Sequence, residues 1–103
     1  MAIKVTNQIG TSGGITTEAY IRIGTYLIDK SNNAVRFGLE IYNTESDKTN
    51  KDNIVINKQI GSYVYKKVSS FSSFDSTDIF TVGYSELRTH LQSIYGPSST
   101  IDC

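Results

Sequence analysis

A chain of 103 residues that sets ten Lys and Arg against ten Asp and Glu is one domain of zero net charge. Its cations stand singly or in pairs such as Lys66-Lys67. The composition therefore offers neither the basic field that tracks nucleic acid or an anionic membrane nor an acidic field that mimics DNA.

Ser, Thr, Asn and Tyr are plentiful, Trp is missing and Pro occurs once, a mix that suits β-rich contact surfaces better than a helical enzyme core. A domain of this size buries a modest core, so oligomerisation is a natural supplement to its stability. The opening MAIKVTNQIG has no apolar h-region and no cleavage-site pattern. No apolar run approaches the ~20 residues of a membrane helix. The expected setting is the cytoplasm, or a particle assembled there.

Met1–Thr6, with Ile3 and Val5, reads as an edge strand or arm, and Gly10–Gly14 as a flexible connector behind it. Residues 1–17 are thus expected to form a flexible N-terminal arm. The glycines match neither GxGxxG nor GxxxxGK[ST] and lead into a strand, which argues against a phosphate loop.

Ala19–Tyr42 is the plainest signal. AYIRIGTYLI places Ala19, Ile21, Ile23 and Leu27 on odd positions, and AVRFGLEIY does the same with Val35, Phe37, Leu39 and Ile41. A period of two over this length predicts strands with one buried and one outward face. Asp29–Asn33 supplies residues that tolerate left-handed turn conformations, so the unit is expected to be a β-hairpin. Gly24 and Gly38 interrupt the strands, marking a bulge, a close approach, or room for a large neighbour such as Tyr26 or Tyr42.

Thr44–Asn53 is polar and reads as an exposed, mobile loop. Ile54–Ile56 resumes extended structure, and Gln59–Val68 reads as a further strand. Ser69–Ser73 is a linker anchored by Phe71. In the last segment, Asp75–Tyr95, Phe80, Tyr84, Leu87, Leu91 and Ile94 recur at helical spacing. Ser76 or Asp78 is a candidate cap and Gly96-Pro97 a stop. Gly83 makes Thr81–Gly83 a poor helical start, leaving open a helix that begins near Tyr84 with Ile79–Val82 extended. The expected fold is α+β: a small antiparallel sheet of three to four strands within residues 18–68, one C-terminal helix (75–95) packed on one face, and a tail at 96–103.

No catalytic, cofactor or metal site emerges. His90, the sole histidine, lies at the border of the apolar stripe with Glu86 as its helical neighbour, and it lacks the orienting carboxylate and nucleophile that catalysis requires. The acids fall in turns, caps or outward strand positions, and no serine has a GxSxG context. One cysteine, Cys103, cannot form an internal bridge. It reads as a thiol on a frayed tail, or else as an intermolecular contact. Cofactors, metals, nucleic acid, membrane and small-molecule substrates are all unexpected.

The tyrosines carry the sharper reading. Tyr20, Tyr26 and Tyr42 share the outward parity of the hairpin with Arg22 and Arg36, and Tyr63 and Tyr65 share one parity of the following strand. Tyr and Arg are enriched in protein interfaces, so these seven residues form a candidate docking face. The competing reading is that the rings line a sheet face beneath the helix or a loop.

AYIRI, VRFGLEIY and the ending FTVGYSELRTHL with IDC together resemble a group of small virion-associated proteins of tailed bacteriophages. In these an AYxRI strand and a V…VY strand precede an AYxxLK helix and a DC end. The matching positions are Ala19, Tyr20, Arg22 and Ile23; Val35, Ile41 and Tyr42; Tyr84 and Leu87; and Asp102 and Cys103. Gly83 stands where the helix motif has alanine, Arg88 where it has lysine, and Tyr95-Gly96-Pro97 where a phenylalanine-containing stretch is usual. The resemblance implies a structural subunit of the virion, at the tail, baseplate, fibre adaptor or collar, that binds other virion proteins and copies of itself. A capsid decoration protein is the alternative within that class, and a small inhibitor of a host protein the alternative outside it.

Overall fold

The structure, a computed structural model, describes residues 2–67 and 79–103. It is α+β, and its sheet is larger than the three or four strands expected. Five antiparallel strands form a curled sheet in the order β6-β5-β4-β1-β7, and β2 and β3 pair separately. The strands are β1 (Ile3–Val5), β2 (Ile9–Thr11), β3 (Gly14–Thr16), β4 (Ala19–Asp29), β5 (Ala34–Tyr42), β6 (Tyr63–Lys67) and β7 (Thr100–Asp102). The helix α1 (Ile79–Tyr95) packs on one face.

The extra strands come from segments too short to show a period. β1 is not an edge or an arm. Ile3 and Val5 are buried, and the strand lies between β4 and β7, paired with both. The expected frayed tail is its other neighbour. Thr100–Asp102 pairs with β1, and the backbone N–H groups of Ala2 and Cys103 each donate to the other residue's carbonyl at 3.0 Å. The connector at Gly10–Gly14 is also ordered into β2 and β3. Thr11 Oγ1 donates to Asn43 Oδ1 at 2.6 Å, and Asn43 Nδ2 donates to the Gly13 carbonyl at 2.9 Å.

The hairpin β4–β5 forms as its alternation requires. Its turn is held by Asp29, whose carboxylate accepts from Ser31 Oγ, Asn32 N–H and Asn32 Nδ2, while Asn33 takes φ +50°. These bonds hold the Asp29 carboxyl below its ordinary range. The register slips at Gly24: Ile23 faces Leu39, but Thr25 faces Gly38. One residue is therefore unpaired, and the parity of β4 reverses beyond it. Tyr26 and Ile28 come to share the face of Phe37 and Val35, and Leu27 turns outward, 61% exposed.

Helix α1 includes Ile79–Val82, which is helical and not extended. The glycine that makes a poor helix former is the point of closest approach to the sheet. A Cβ on Gly83 would lie 2.7 Å from Ile23 Cδ1 and from the ring of Phe37. Leu87 and Leu91 follow on the same stripe and are fully buried, each contributing roughly 1.5–3 kcal/mol through burial. Gly96, at φ +86°, ends the helix with its N–H donating to the Gln92 carbonyl, ahead of Pro97. The expected linker Ser69–Ser73, its anchor Phe71, Val68, and the candidate caps Ser76 and Asp78 with the helix start at 75–78 lie outside the described residues.

Of the strand expected over Gln59–Val68, Tyr63–Lys67 is strand and residues 59–62 are not. Ahead of it, Asn57 organises a tight turn: its Oδ1 accepts from Ile60 N–H at 2.9 Å and its Nδ2 donates to the Gly10 carbonyl at 2.8 Å. Ile60 is thereby buried, and His90 Nε2 meets the Ile60 carbonyl at 2.8 Å. His90 thus ties helix to turn, while Glu86 pairs with Lys66 at 3.8 Å.

Candidate interaction surface

Of the seven residues expected on one docking face, Tyr26 lies on the opposite face of the sheet, and two of the six that share the outward face are covered. Tyr20 and Tyr42 are buried, at 5% and 0% exposure, in a small cluster with Ala2 on the side of the sheet away from α1. The polar stretch after β5 is responsible. It is organised as two short 3-10 turns, Glu45–Thr49 and Lys51–Asn53, and the first folds back against β5. From it Lys48 places its ammonium 5.2 Å from the Tyr20 ring centre. Tyr26 leaves the outward face because of the bulge and stands edge-on to Phe80 of the helix, ring centres 5.5 Å apart.

Arg22 belongs to a polar network. Its Nε donates to Glu40 Oε1 at 2.7 Å, and its Nη2 to Tyr42 Oη at 3.3 Å. Tyr42 Oη in turn donates to Glu40 Oε1 at 3.0 Å. Burial opposes the charge on Glu40, but the bonds from Arg22 and Tyr42 and the charges of Arg22 and Lys51 outweigh it and hold the carboxyl below its usual range. The hydrogen bond to Glu40 raises the Arg22 guanidinium correspondingly. Gly24 makes room for this carboxylate, since a Cβ there would lie 2.8 Å from Glu40 Cδ. The space left at the bulge is therefore filled by an acid and not by a tyrosine.

Arg36, Tyr63 and Tyr65 do share the outward face at the distal half of the sheet. Arg36 is opposite Tyr65 on β6 and opposite Leu27 on β4. Its guanidinium carbon lies 4.6 Å from the centre of the Tyr63 ring. Leu27 and Tyr63 are 61% and 48% exposed, and on the helix side of the same tip Tyr26 and Ile28 are about half exposed. Sequence parity missed Leu27 and Ile28, because Gly24 signalled a bulge without saying that it would invert the strand.

A second feature lies where the pairing of β1 with β4 stops at Ile21. Two residues on, the Ile23 N–H is accepted by Tyr84 Oη at 3.0 Å. Beside it opens a polar recess of about 470 Å³, walled by Arg22, Glu40, Lys48, Lys51, Tyr20 and Tyr84 and floored at Gly24. Among the described residues no group of three His, Cys, Asp or Glu side chains is placed to hold a metal ion.

Compared with protein-family models, curated proteins and solved structures, the chain matches none.

Proposed function

We propose that this chain is a binding subunit of a larger protein assembly, and that the assembly is the particle of a tailed bacteriophage, on its tail side. The observation that carries the binding role is the distal tip of the sheet. There Leu27 and Tyr63 stand exposed on one face around a stacked arginine, and Tyr26 and Ile28 stand half exposed on the other. Large apolar groups and an Arg–Tyr stack, fixed on paired strands, are the kind of rigid anchor that dominates protein interfaces. The phage assignment is supported by the resemblance of the strand, helix and terminal motifs, and the binding chemistry involves no substrate.

The test is incorporation. In mass spectra of purified particles, the chain should appear at a fixed ratio to the tail proteins. The variant Leu27→Ser/Tyr63→Ser should fold with little loss of stability, because both side chains are exposed, and yet be lost from the particles. A chain recovered only from infected-cell lysate, bound to a host protein, would overturn the virion role. Copurification with the head shell would move it to capsid decoration.

A further inference from the structure

The recess beside Gly24 has more hydrogen-bond donors than the fold consumes. Three cations, Arg22, Lys48 and Lys51, and two tyrosines line it, with Glu40 as the one carboxylate on its wall. Glu40 Oε1 takes the Arg22 Nε–H and the Tyr42 hydroxyl, leaving Oε2 facing Lys51 at 4.0 Å. Lys48 is drawn to Glu45 at 3.4 Å, outside the recess wall. Lys51 is 77% exposed, and among the described residues its ammonium has that loose pairing alone.

Tyr84 is the telling group. Its oxygen accepts the Ile23 N–H, and its own proton goes to no acceptor among the described residues. The side chain is 7% exposed, and burial raises its pKa, so the hydroxyl stays protonated and able to donate. A buried hydroxyl with an unspent donor, a guanidinium fixed by Glu40 and a loosely paired ammonium thus line one open recess. Their shared complement is an acceptor-only group carrying negative charge.

We propose that this recess binds an oxyanion, a carboxylate or phosphate group, between Lys51, the Arg22 guanidinium and the Tyr84 hydroxyl. Through Oε1 the Glu40 carboxylate is bound by Arg22 and Tyr42 and orients the guanidinium, and an incoming oxyanion takes the place of Oε2 as the partner of Lys51. The bulge supplies the opening, since a side chain at position 24 would displace Glu40 from beneath the guanidinium. This site is separate from the distal tip and does not depend on the reading of that surface.

The test is a titration of the folded protein with inorganic phosphate and with acetate, each against sodium chloride at matched ionic strength, followed by backbone amide NMR. Saturable shifts at Gly24, Arg22 and Lys51 are expected with an oxyanion and not with chloride. Lys51→Ala, at an exposed position that leaves the fold intact, should weaken binding about tenfold. Tyr84→Phe, checked for folding by its amide spectrum, should weaken it as well. Preference for phosphate would point to a free or esterified phosphate as ligand, and equal response to acetate would point to an acidic side chain of a partner. Shifts indistinguishable from those of chloride, or binding unchanged in Lys51→Ala, would overturn the proposal.

Discussion

Gly83→Ala separates helix propensity from packing in this protein. In an exposed helix, replacing an interior glycine by alanine gains about 1 kcal/mol. Here the new Cβ would stand 2.7 Å from three carbon atoms, Ile23 Cδ1 and Cδ1 and Cε1 of Phe37. Carbon atoms in contact rest about 3.5–4.0 Å apart, so roughly 1 Å of separation must be found. Ile23 Cδ1 ends a flexible side chain and can rotate aside. Phe37 is fully buried in the core against the helix, and its ring cannot move without opening that core. Overpacking of this kind costs about 1–3 kcal/mol, so it outweighs the propensity gain, and the net loss should be about 1 kcal/mol. In a domain of this size that lowers the thermal midpoint by roughly 4–8 °C. Urea unfolding followed by circular dichroism should show the same loss with an unchanged slope. The double variant Phe37→Leu/Gly83→Ala gives the sharper reading: in the Phe37→Leu background the alanine should stabilise, reversing its sign. A Gly83→Ala protein as stable as the parent, or a double variant without coupling, would show that α1 does not touch the sheet at this point.

Two further perturbations report on the polar network. Glu40 has a folded pKa below its unfolded one, so its contribution is present above the ordinary carboxylate range near ~4.3 and is lost as pH falls through the folded value. Glu40→Gln should therefore cost about 1–2 kcal/mol at pH 7 and almost nothing at the acid end, seen as converging urea midpoints. Tyr84 has a raised folded pKa, so its contribution is whole below about pH 10 and is lost as pH rises through that raised value. Tyr84→Phe orphans the Ile23 N–H, should cost about 1–2 kcal/mol at neutral pH, and should flatten the alkaline limb of the stability profile.

How much of this was legible in the sequence depends on the length of each element. The hairpin was legible because nine and eleven residues of alternation admit one assignment, and the helix because Tyr84, Leu87 and Leu91 repeat at its period. Ile3–Val5 was legible as a strand or an arm, but its central place and its partner β7 were not, since three residues carry no period and their pairing joins distant parts of the chain. The outward face was misread beyond Gly24 for a local reason: a bulge changes the parity of every later residue, and nothing in the letters fixes on which strand the extra residue lies. Tyr20 and Tyr42 keep the expected outward parity but lie beneath a loop, as the competing reading had it, and the cause is non-local. The polar stretch Glu45–Thr49 looks solvated, yet as a 3-10 turn it brings Lys48 back against the Tyr20 ring, with the ammonium on the π face. The recess needed both facts at once, because it joins a strand edge, a helix residue 61 positions away and a turn.

The residues that carry the phage resemblance prove to be the cross-links of the fold. Arg22 of the first strand motif bonds Tyr42 of the second, and Tyr20 of the first lies 6.4 Å from the same ring. Tyr84 of the helix motif accepts the N–H of Ile23 from the first. Arg88, standing at the lysine of the helix motif, makes a two-point ion pair with Asp102 of the terminal one, at 2.9 and 3.2 Å. Motifs far apart in the chain thus meet in pairs. Leu27, Tyr63 and Lys51 stand outside all four motifs and Arg36 at an unmatched place within the second, whereas Tyr20, Arg22 and Tyr84 of the recess are motif positions. In a chain sharing the motifs the tip would therefore be free to differ, while the recess would keep these three groups.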